Sequence, residues 1–370
     1  MITVAQHPDL VGLPPESAEE RLREHFLSRG QPAYRATQVV AWVTERLVTS
    51  FEEMTDLPLG ERDALTEAFQ LTVLGTERVS RSVDGTAKHL WRLAGGELIE
   101  SVLIPTRKRL TLCISSQAGC AMACTFCATG WMGYERQLTA GEIVAQYRQA
   151  RLWADENDYG DITNVVFMGM GEPLMNPFAV FPTLEVLNRG YGVGARRITV
   201  STVGVAPGIE RLAEMPEQFR LALSLHAPNS ELRQELIPLE KKYPLPRLLD
   251  ALRKFDEAGG KRITFEYVMI DGVNDSLELA DELADLVGEF RAFVNLIPFN
   301  PIPATEWRPT PPDRLNDFAQ RLERRGVSVH IRTPRGRDIA AACGQLKAEA
   351  TEGRRPVQIG AGGQGIGKRE

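Results

Sequence analysis

The chain changes its hydrophobic rhythm once. From residue 16 to about 75 apolar positions recur at helical spacing, and Val39, Val40, Trp42, Val43 and Leu47 fall on one face. Ser17 with Glu20, and Ser50 with Glu53, have the Ser-x-x-Glu spacing of capping boxes. In such a box hydroxyl and carboxylate each satisfy a backbone N–H left unpaired at a helix start. These signals predict a small all-helical N-terminal unit. From about residue 88 short apolar runs take over: Leu90 to Leu93 and Leu98 to Ile104 have strand character. The change of texture is placed at Asp84 and Gly85.

Beyond residue 139 strand and helix signals alternate. Thr139 with Glu142 is a third capping box and opens a helix predicted through Ala150. Buried strands are predicted at 163–168, 197–201, 219–225, 262–269, 293–297 and 327–331, with helices between them that include 244–257, 276–289 and 312–325. Repeated strand–helix units build a parallel sheet. Six of them predict an α/β fold, a partial (β/α)6 TIM-like barrel rather than an open Rossmann sheet, with its chemistry at the C-terminal strand ends. The predicted division is 1–85 for a helical accessory domain, 86–335 for the barrel, 336–350 for a segment carrying Cys343, and 351–370 for a Gly-rich, charged tail of disordered composition. The tail holds a literal G-x-G-x-x-G at Gly360 to Gly365. Too little chain follows it to build a dinucleotide site.

Composition narrows the class. With 43% apolar and 25% charged residues in 370 positions, the chain is an ordinary globular protein large enough for one catalytic domain and a smaller one. The N-terminus has neither the basic start nor the apolar stretch of a signal peptide, and no apolar run approaches the ~18 residues of a membrane span. Four of five cysteines lie between 113 and 127, which is metal or redox usage rather than a disulfide framework. A reducing, cytoplasmic location follows. The net charge of −6 weighs against a nucleic-acid partner. Local clusters at Arg107 to Arg109, Arg196 and Arg197, Lys241 and Lys242, Arg324 and Arg325, and Arg354 and Arg355 soften that objection only if folding gathers several of them.

Cys120, Cys124 and Cys127 form C-x3-C-x2-C. Three thiolates on a short loop suit three irons of a [4Fe–4S] cubane and leave the fourth iron open to a ligand. A structural zinc site is the alternative, with only Cys113 nearby as a fourth thiol; three buried free thiols are another. The triplet, with Phe126 before its last cysteine, resembles the signature of the radical S-adenosylmethionine (SAM) superfamily. The resemblance implies that SAM chelates the open iron. It also implies that Gly171 and Glu172, in GMGEP after the 163–168 strand, bind SAM's amino group. Ser201, Ser224 with Leu225 and His226, and Asn300, each at a strand end, would then meet its ribose, carboxylate and adenine. Residue by residue, these positions also suit turns and caps, and His226 suits a packed core position.

Longer stretches sharpen the resemblance: TLCISSQAGC at 111–120, GMGEPLMN at 169–176, AACGQL at 341–346, RATQVV at 35–40 and FEEMTD at 51–56. Together they are similar to the RNA adenine C2-methyltransferases of the RlmN/Cfr type over residues ~15–350. The resemblance implies covalent catalysis. Cys343 is methylated by one SAM, a second SAM yields the radical, and the activated methyl carbon adds to adenine C2. Glu100 then accepts the C2 proton, and Cys113 attacks the Cys343 sulfur to release the product as a transient disulfide forms. The implied substrates are adenine 2503 of 23S rRNA and adenine 37 of tRNA, with C8 methylation of the Cfr kind as alternative. The implied partners are a flavodoxin-like external electron donor and a thiol reductant, for a monomer without membrane attachment. Arg21, Arg23, Arg29 and Arg35 would grip RNA, or form a solvated helix face. Met168 lines the pocket or only packs. A radical SAM activase or sulfur-inserting enzyme leaves Cys113 and Cys343 unexplained, whereas a non-enzymatic iron–sulfur or zinc protein would not cleave SAM.

Overall fold

The computed structural model describes residues 7–259 and 262–346. The predicted tail at 351–370 and the last part of the 336–350 segment lie outside the described residues. The N-terminal unit has three α-helices, α1 (Pro15–Ser28), α2 (Arg35–Thr44) and α3 (Leu59–Ala68), with a 3-10 turn at Phe51–Glu53. Ala18, Leu22 and Phe26 of α1, at four-residue spacing, turn one buried stripe toward Ala36, Val39 and Val43 of α2. The Ser50–Glu53 capping box forms as predicted. The Ser17 box does not: α1 begins three residues earlier, with Pro14 at the cap and Pro15 in the first turn. Proline lacks the N–H that a cap would satisfy, so the helix starts there without one.

The sheet begins earlier than predicted. β1 (Gly75–Arg81) pairs antiparallel with β2 (Ala87–Arg92), which pairs with β3 (Leu98–Thr106) and that with β4 (Arg109–Cys113). The predicted boundary at 84–85 is therefore the turn of a hairpin within the sheet, and the helical unit ends at Ala68. β1 is a largely exposed edge strand with a polar sequence, so it lacks the apolar alternation that marks a half-buried strand.

A small hairpin follows, β5 (Gln117–Gly119) with β6 (Tyr134–Gln137), enclosing the cysteine loop and a five-residue helix, α4 (Ala128–Met132). α5 (Ala140–Glu156) starts at the predicted Thr139 capping box but runs past the predicted Ala150. Next come β7 (Asn164–Phe167), α6 (Pro177–Glu185), β8 (Ile198–Thr202), α7 (Ala206–Glu214), β9 (Arg220–Ser224), α8 (Ser230–Leu236) and α9 (Leu245–Glu257). The order closes with β10 (Ile263–Met269), α10 (Leu277–Val287), β11 (Ala292–Pro298), α11 (Pro312–Arg324) and β12 (Val329–Ile331).

These strands form one ten-stranded sheet in the order β1-β2-β3-β4-β7-β8-β9-β10-β11-β12. From β4 onward every neighbour is parallel. The six predicted strands are present as β7 to β12, and the parallel run starts one strand earlier than the alternation indicated, at β4. No pair joins β1 to β12 among the described residues, so the barrel is partial. The helical unit docks outside it: Val144 of α5 and Val186 join the core of the three helices. Contact there is so close that a Cβ on Gly141 would fall 1.6 Å from Asp9 Oδ2, which is why α5 opens with glycine behind its cap. No described helix is long and apolar enough to cross a membrane.

Candidate active site

The C-terminal strand ends open into a cavity of about 960 Å³, its mouth included. Cys120, Cys124 and Cys127 all line it. The loop holding them is tied at both ends: Cys120 N–H donates to Gly133 O at 2.8 Å, and Cys127 N–H to Cys124 O at 3.2 Å. Ala123 sits at φ 52°, a left-handed conformation that an alanine adopts only under constraint. Met122, Ala227, Ile237, Val268 and Phe299 pack into an apolar shell around the loop.

Burial governs the thiols. It pushes Cys120 up to about 12, Cys124 well above the ordinary thiol range and Cys127 upward as well. Thiolates in such a place need a cation beside them, and a metal centre supplies it. Among the described residues no three His, Cys, Asp or Glu side chains are arranged around a single metal ion. The three thiols instead share the wall of one large cavity, a donor set that fits a polynuclear cluster.

Gly171 and Glu172 stand opposite. Gly171 has φ 96°, and a Cβ there would lie 2.5 Å from Gln117 Cβ, so the turn after β7 admits only glycine. It aims Glu172 into the cavity. The Glu172 carboxylate accepts from Leu174 N–H at 3.1 Å and from Val203 N–H at 2.8 Å. Burial nevertheless raises it to about 7, a carboxylate that a cationic ligand would stabilise as the anion.

The other predicted cofactor contacts divide. Ser201, Ser224, His226 and Asn300 line the cavity. Leu225 is not among the lining residues: it is fully buried in the main core, and its N–H donates to Glu266 O at 3.0 Å. Alternation along the strand sends it away from the face that Ser224 shows. His226 has φ 60°. Its Nδ1 accepts from Val268 N–H at 3.0 Å and its ring meets Phe126 edge-on at 4.4 Å. Burial, then Arg233, holds it down to about 3, so it is neutral with its proton on Nε2. Asn300 donates to Cys343 O at 3.0 Å and accepts from Arg337 at 2.9 Å, which ties it to the cysteine segment as well as to the cavity.

Cys343 also lines the cavity, whereas Cys113 and Glu100 lie behind its wall. Burial and the neighbouring Cys343 push Cys113 up to about 12. All five cysteines are free thiols. Arg332, just past β12, lines the same cavity; its Nη1 is 3.7 Å from Glu266 Oε2 and 3.9 Å from Met168 Sδ. Cys343 is the largest influence holding its guanidinium charged. Glu266 Oε1 accepts from Asn295, while Oε2 is buried without a hydrogen bond. Sequence reasoning passed over Arg332 and Glu266. An arginine after an edge strand looks solvated, and only its position at a strand's C-terminal end hinted otherwise.

The comparisons agree with this geometry. Residues 114–284 match the family model of the radical SAM superfamily, and residues 13–71 match that of the ribosomal RNA large subunit methyltransferase N-terminal domain. A Gemmatimonas aurantiaca protein named "Probable dual-specificity RNA methyltransferase RlmN" is 51% identical over 95% of this chain and 96% of its own. The chain belongs to the RlmN family of dual-specificity RNA methyltransferases. The RlmN of Alkalilimnicola ehrlichii is 45% identical over 92% of this chain and 94% of its own. A radical SAM methyltransferase from Sphaerobacter thermophilus superposes with a TM-score of 0.87 at 46% identity, over 92% of this chain and all of that one.

As an RlmN-family radical SAM RNA methyltransferase the protein uses a [4Fe–4S] cluster and SAM, and the cavity wall fits both. The arginines read as an RNA grip are partly spent: Arg29 pairs with Glu61 at 3.1 Å and Arg23 with Glu19 at 3.3 Å. Folding does gather one basic group elsewhere. Burial, then Arg262, Arg109 and Arg196, lowers the Arg220 guanidinium at the N-terminal strand ends.

Proposed function

We propose that this enzyme methylates C2 of adenine 2503 in 23S rRNA and of adenine 37 in tRNA, through a methylated Cys343 and two SAM molecules per turnover. One observation carries the reading: the cysteine triplet and Cys343 face a single cavity, with Cys113 behind it. When bound there, the cluster and SAM supply an electron and a carbon radical able to abstract hydrogen. Adenine C2 is no nucleophile, so the carbon must be carried by the protein.

Each residue has a separate task. Cys343 attacks the methyl carbon of SAM, forming an S–CH3 bond as the sulfonium leaves as a neutral thioether. Glu172 receives SAM's ammonium, with Gly171, Ser201, Ser224, His226 and Asn300 around the rest of the molecule; Leu225 contributes packing alone. Once the activated carbon of Cys343 is bonded to C2 and the resulting ring radical has given up one electron to the oxidised cluster, Glu100 takes the C2 proton and the C–H electron pair restores the aromatic ring. The Cys113 thiolate then attacks the Cys343 sulfur: an S–S bond forms, the sulfur–carbon bond breaks with its electron pair on carbon, and that carbon takes up a proton to become the methyl group. A thiol reductant resets the pair, and a flavodoxin-like protein delivers electrons. The target base leaves its stack to enter the cavity, with Arg21 and Arg35 of the helical unit among its phosphate contacts. The enzyme works as a monomer in the reducing cytoplasm.

Anaerobic incubation with SAM, reductant and protein-free 23S rRNA or tRNA, followed by nucleoside mass spectrometry, tests this. 2-Methyladenosine is expected. 8-Methyladenosine instead would move the chain to the Cfr-like alternative, and an unmodified RNA beside cleaved SAM would sink the substrate assignment.

A further inference from the structure

Lys88 of β2 is a buried lysine. Its side chain is 8% exposed and its Nζ lies 2.9 Å from Oε1 of Glu100, itself 1% exposed. The same Nζ donates to Ala340 O at 3.2 Å, three residues before Cys343. Register explains the meeting. Lys88 pairs with Val102, and Val102 with Cys113, so one row crosses β2, β3 and β4. Side chains alternate along a strand, so Glu100 shares the face of Val102. Lys88, Glu100 and Cys113 therefore stand on one face of the sheet. The β1–β2 hairpin reinforces the hold on the cysteine segment: Ser82 Oγ donates to Asp338 Oδ1 at 2.6 Å, and Gly336 N–H to Asp84 Oδ2 at 3.0 Å.

We infer that Lys88 is a positioning residue that fixes Glu100 for proton transfer and couples it to the seated Cys343 segment. The inference rests on the proposed roles of Glu100 and Cys343. A buried carboxylate is stable only when paired, and removal of one partner leaves the other uncompensated. Lys88 holds Glu100 as an oriented anion. After the adduct radical has lost one electron, the proton of the C2–H bond goes to Glu100 and the bond's electron pair restores the adenine ring, while Lys88 keeps the carboxylate in place. Because the second bond of Nζ goes to Ala340 O, Glu100 is best aligned while the segment is docked. Lys88 acts after Cys343 has been methylated and has bonded to RNA, so its loss stalls the covalent protein–RNA adduct rather than SAM cleavage.

Lys88→Met, Lys88→Arg and Glu100→Gln test this in the full-length, cluster-loaded enzyme. Four readouts apply: 5′-deoxyadenosine formed, Cys343 methylation by mass spectrometry, RNA covalently bound to protein, and 2-methyladenosine. Lys88→Met is expected to methylate Cys343 and cleave SAM near the wild-type level, to lose ~10- to 100-fold in 2-methyladenosine, and to accumulate adduct. Lys88→Arg restores most of the product. If Lys88→Met does not fold, Lys88→Gln, which keeps a donor for Ala340 O without the charge, gives the same readouts. Wild-type product formation without adduct overturns the inference. So does a parallel fall of all four readouts that Lys88→Arg does not rescue. Glu100→Gln separates the two layers. If it fails to stall the adduct, the reading of Glu100 as proton acceptor falls. If it stalls while Lys88→Met turns over normally, the Lys88 inference alone falls.

Discussion

The two groups of cysteines are assembled in opposite ways. Cys120, Cys124 and Cys127 come from one loop, framed by the β5–β6 hairpin and packed in its own apolar shell. Cys113 and Cys343 come from the end of β4 and from a segment beyond the last strand, far apart in the chain. They meet because the 336–340 segment is anchored to the β1–β2 hairpin and to Asn300. A binding site for a cofactor can be written into a few consecutive residues. A pair of thiols proposed to form a transient disulfide depends on an attachment that the rest of the fold supplies.

The sharpest way to break the comparison is to remove one member of each group. Cys124→Ala should lose cluster iron, its visible absorbance and SAM cleavage together. Cys343→Ala should keep cluster iron and absorbance while 2-methyladenosine falls to background. Iron analysis beside nucleoside mass spectrometry checks both, and loss of iron from Cys343→Ala would erase the distinction.

Asn300→Ala should have a smaller effect. It removes the bonds to Cys343 O and Arg337, each worth ~1 kcal/mol. RNA methylation should fall ~10-fold, and hydrogen exchange should quicken within 336–346 while the 120–127 loop keeps its protection. Equal exchange in both regions would refute the idea that Asn300 acts mainly on the cysteine segment.

Stability at acid pH isolates a third place, the buried ring of His89 on β2. His89 is fully buried, stacked on Trp91 at 4.9 Å and edge-on to Trp153 at 4.8 Å, with both ring nitrogens lacking a hydrogen-bond partner. Burial lowers it from 6.5 to about 4. The folded state therefore takes up the proton less readily than the unfolded chain. Its neutral form contributes stability in full above pH ~6.5, and that contribution is lost as pH falls toward about 4. His89→Phe should flatten the dependence of the urea midpoint on pH across that window without changing cluster iron. An unchanged slope would acquit His89.

The smallest effects concern two identical-looking sequence signals. Thr139→Ala should cost ~1 kcal/mol, because its hydroxyl accepts from Glu142 N–H at 3.2 Å at the start of α5. Ser17→Ala should stay within ~0.5 kcal/mol, since Ser17 caps nothing. Thermal melts of both variants decide whether the proline at the start of α1 replaced the cap.

Sequence reasoning reached the parallel strands β7 to β12 within two residues of their ends, because each is a short apolar run between turn signals and helices, but not β4, which opens the parallel run. It missed β1, where a polar edge strand carries no alternation, and so cut the chain inside a hairpin. For Leu225 it carried a neighbour's role one residue too far along a strand, where alternation turns the side chain into the core.

By itself the sequence determined the cofactor class, the loop proposed to hold the cluster and the alternation of strands and helices, since spacing and periodicity are local properties. Only the tertiary structure decided that Cys113 sits behind the wall that Cys343 lines, that Arg332 and Glu266 face the same cavity, and that Lys88 joins Glu100 to the cysteine segment. Those contacts cross long stretches of chain. Their partners are chosen by strand register and burial, which no single stretch of sequence displays.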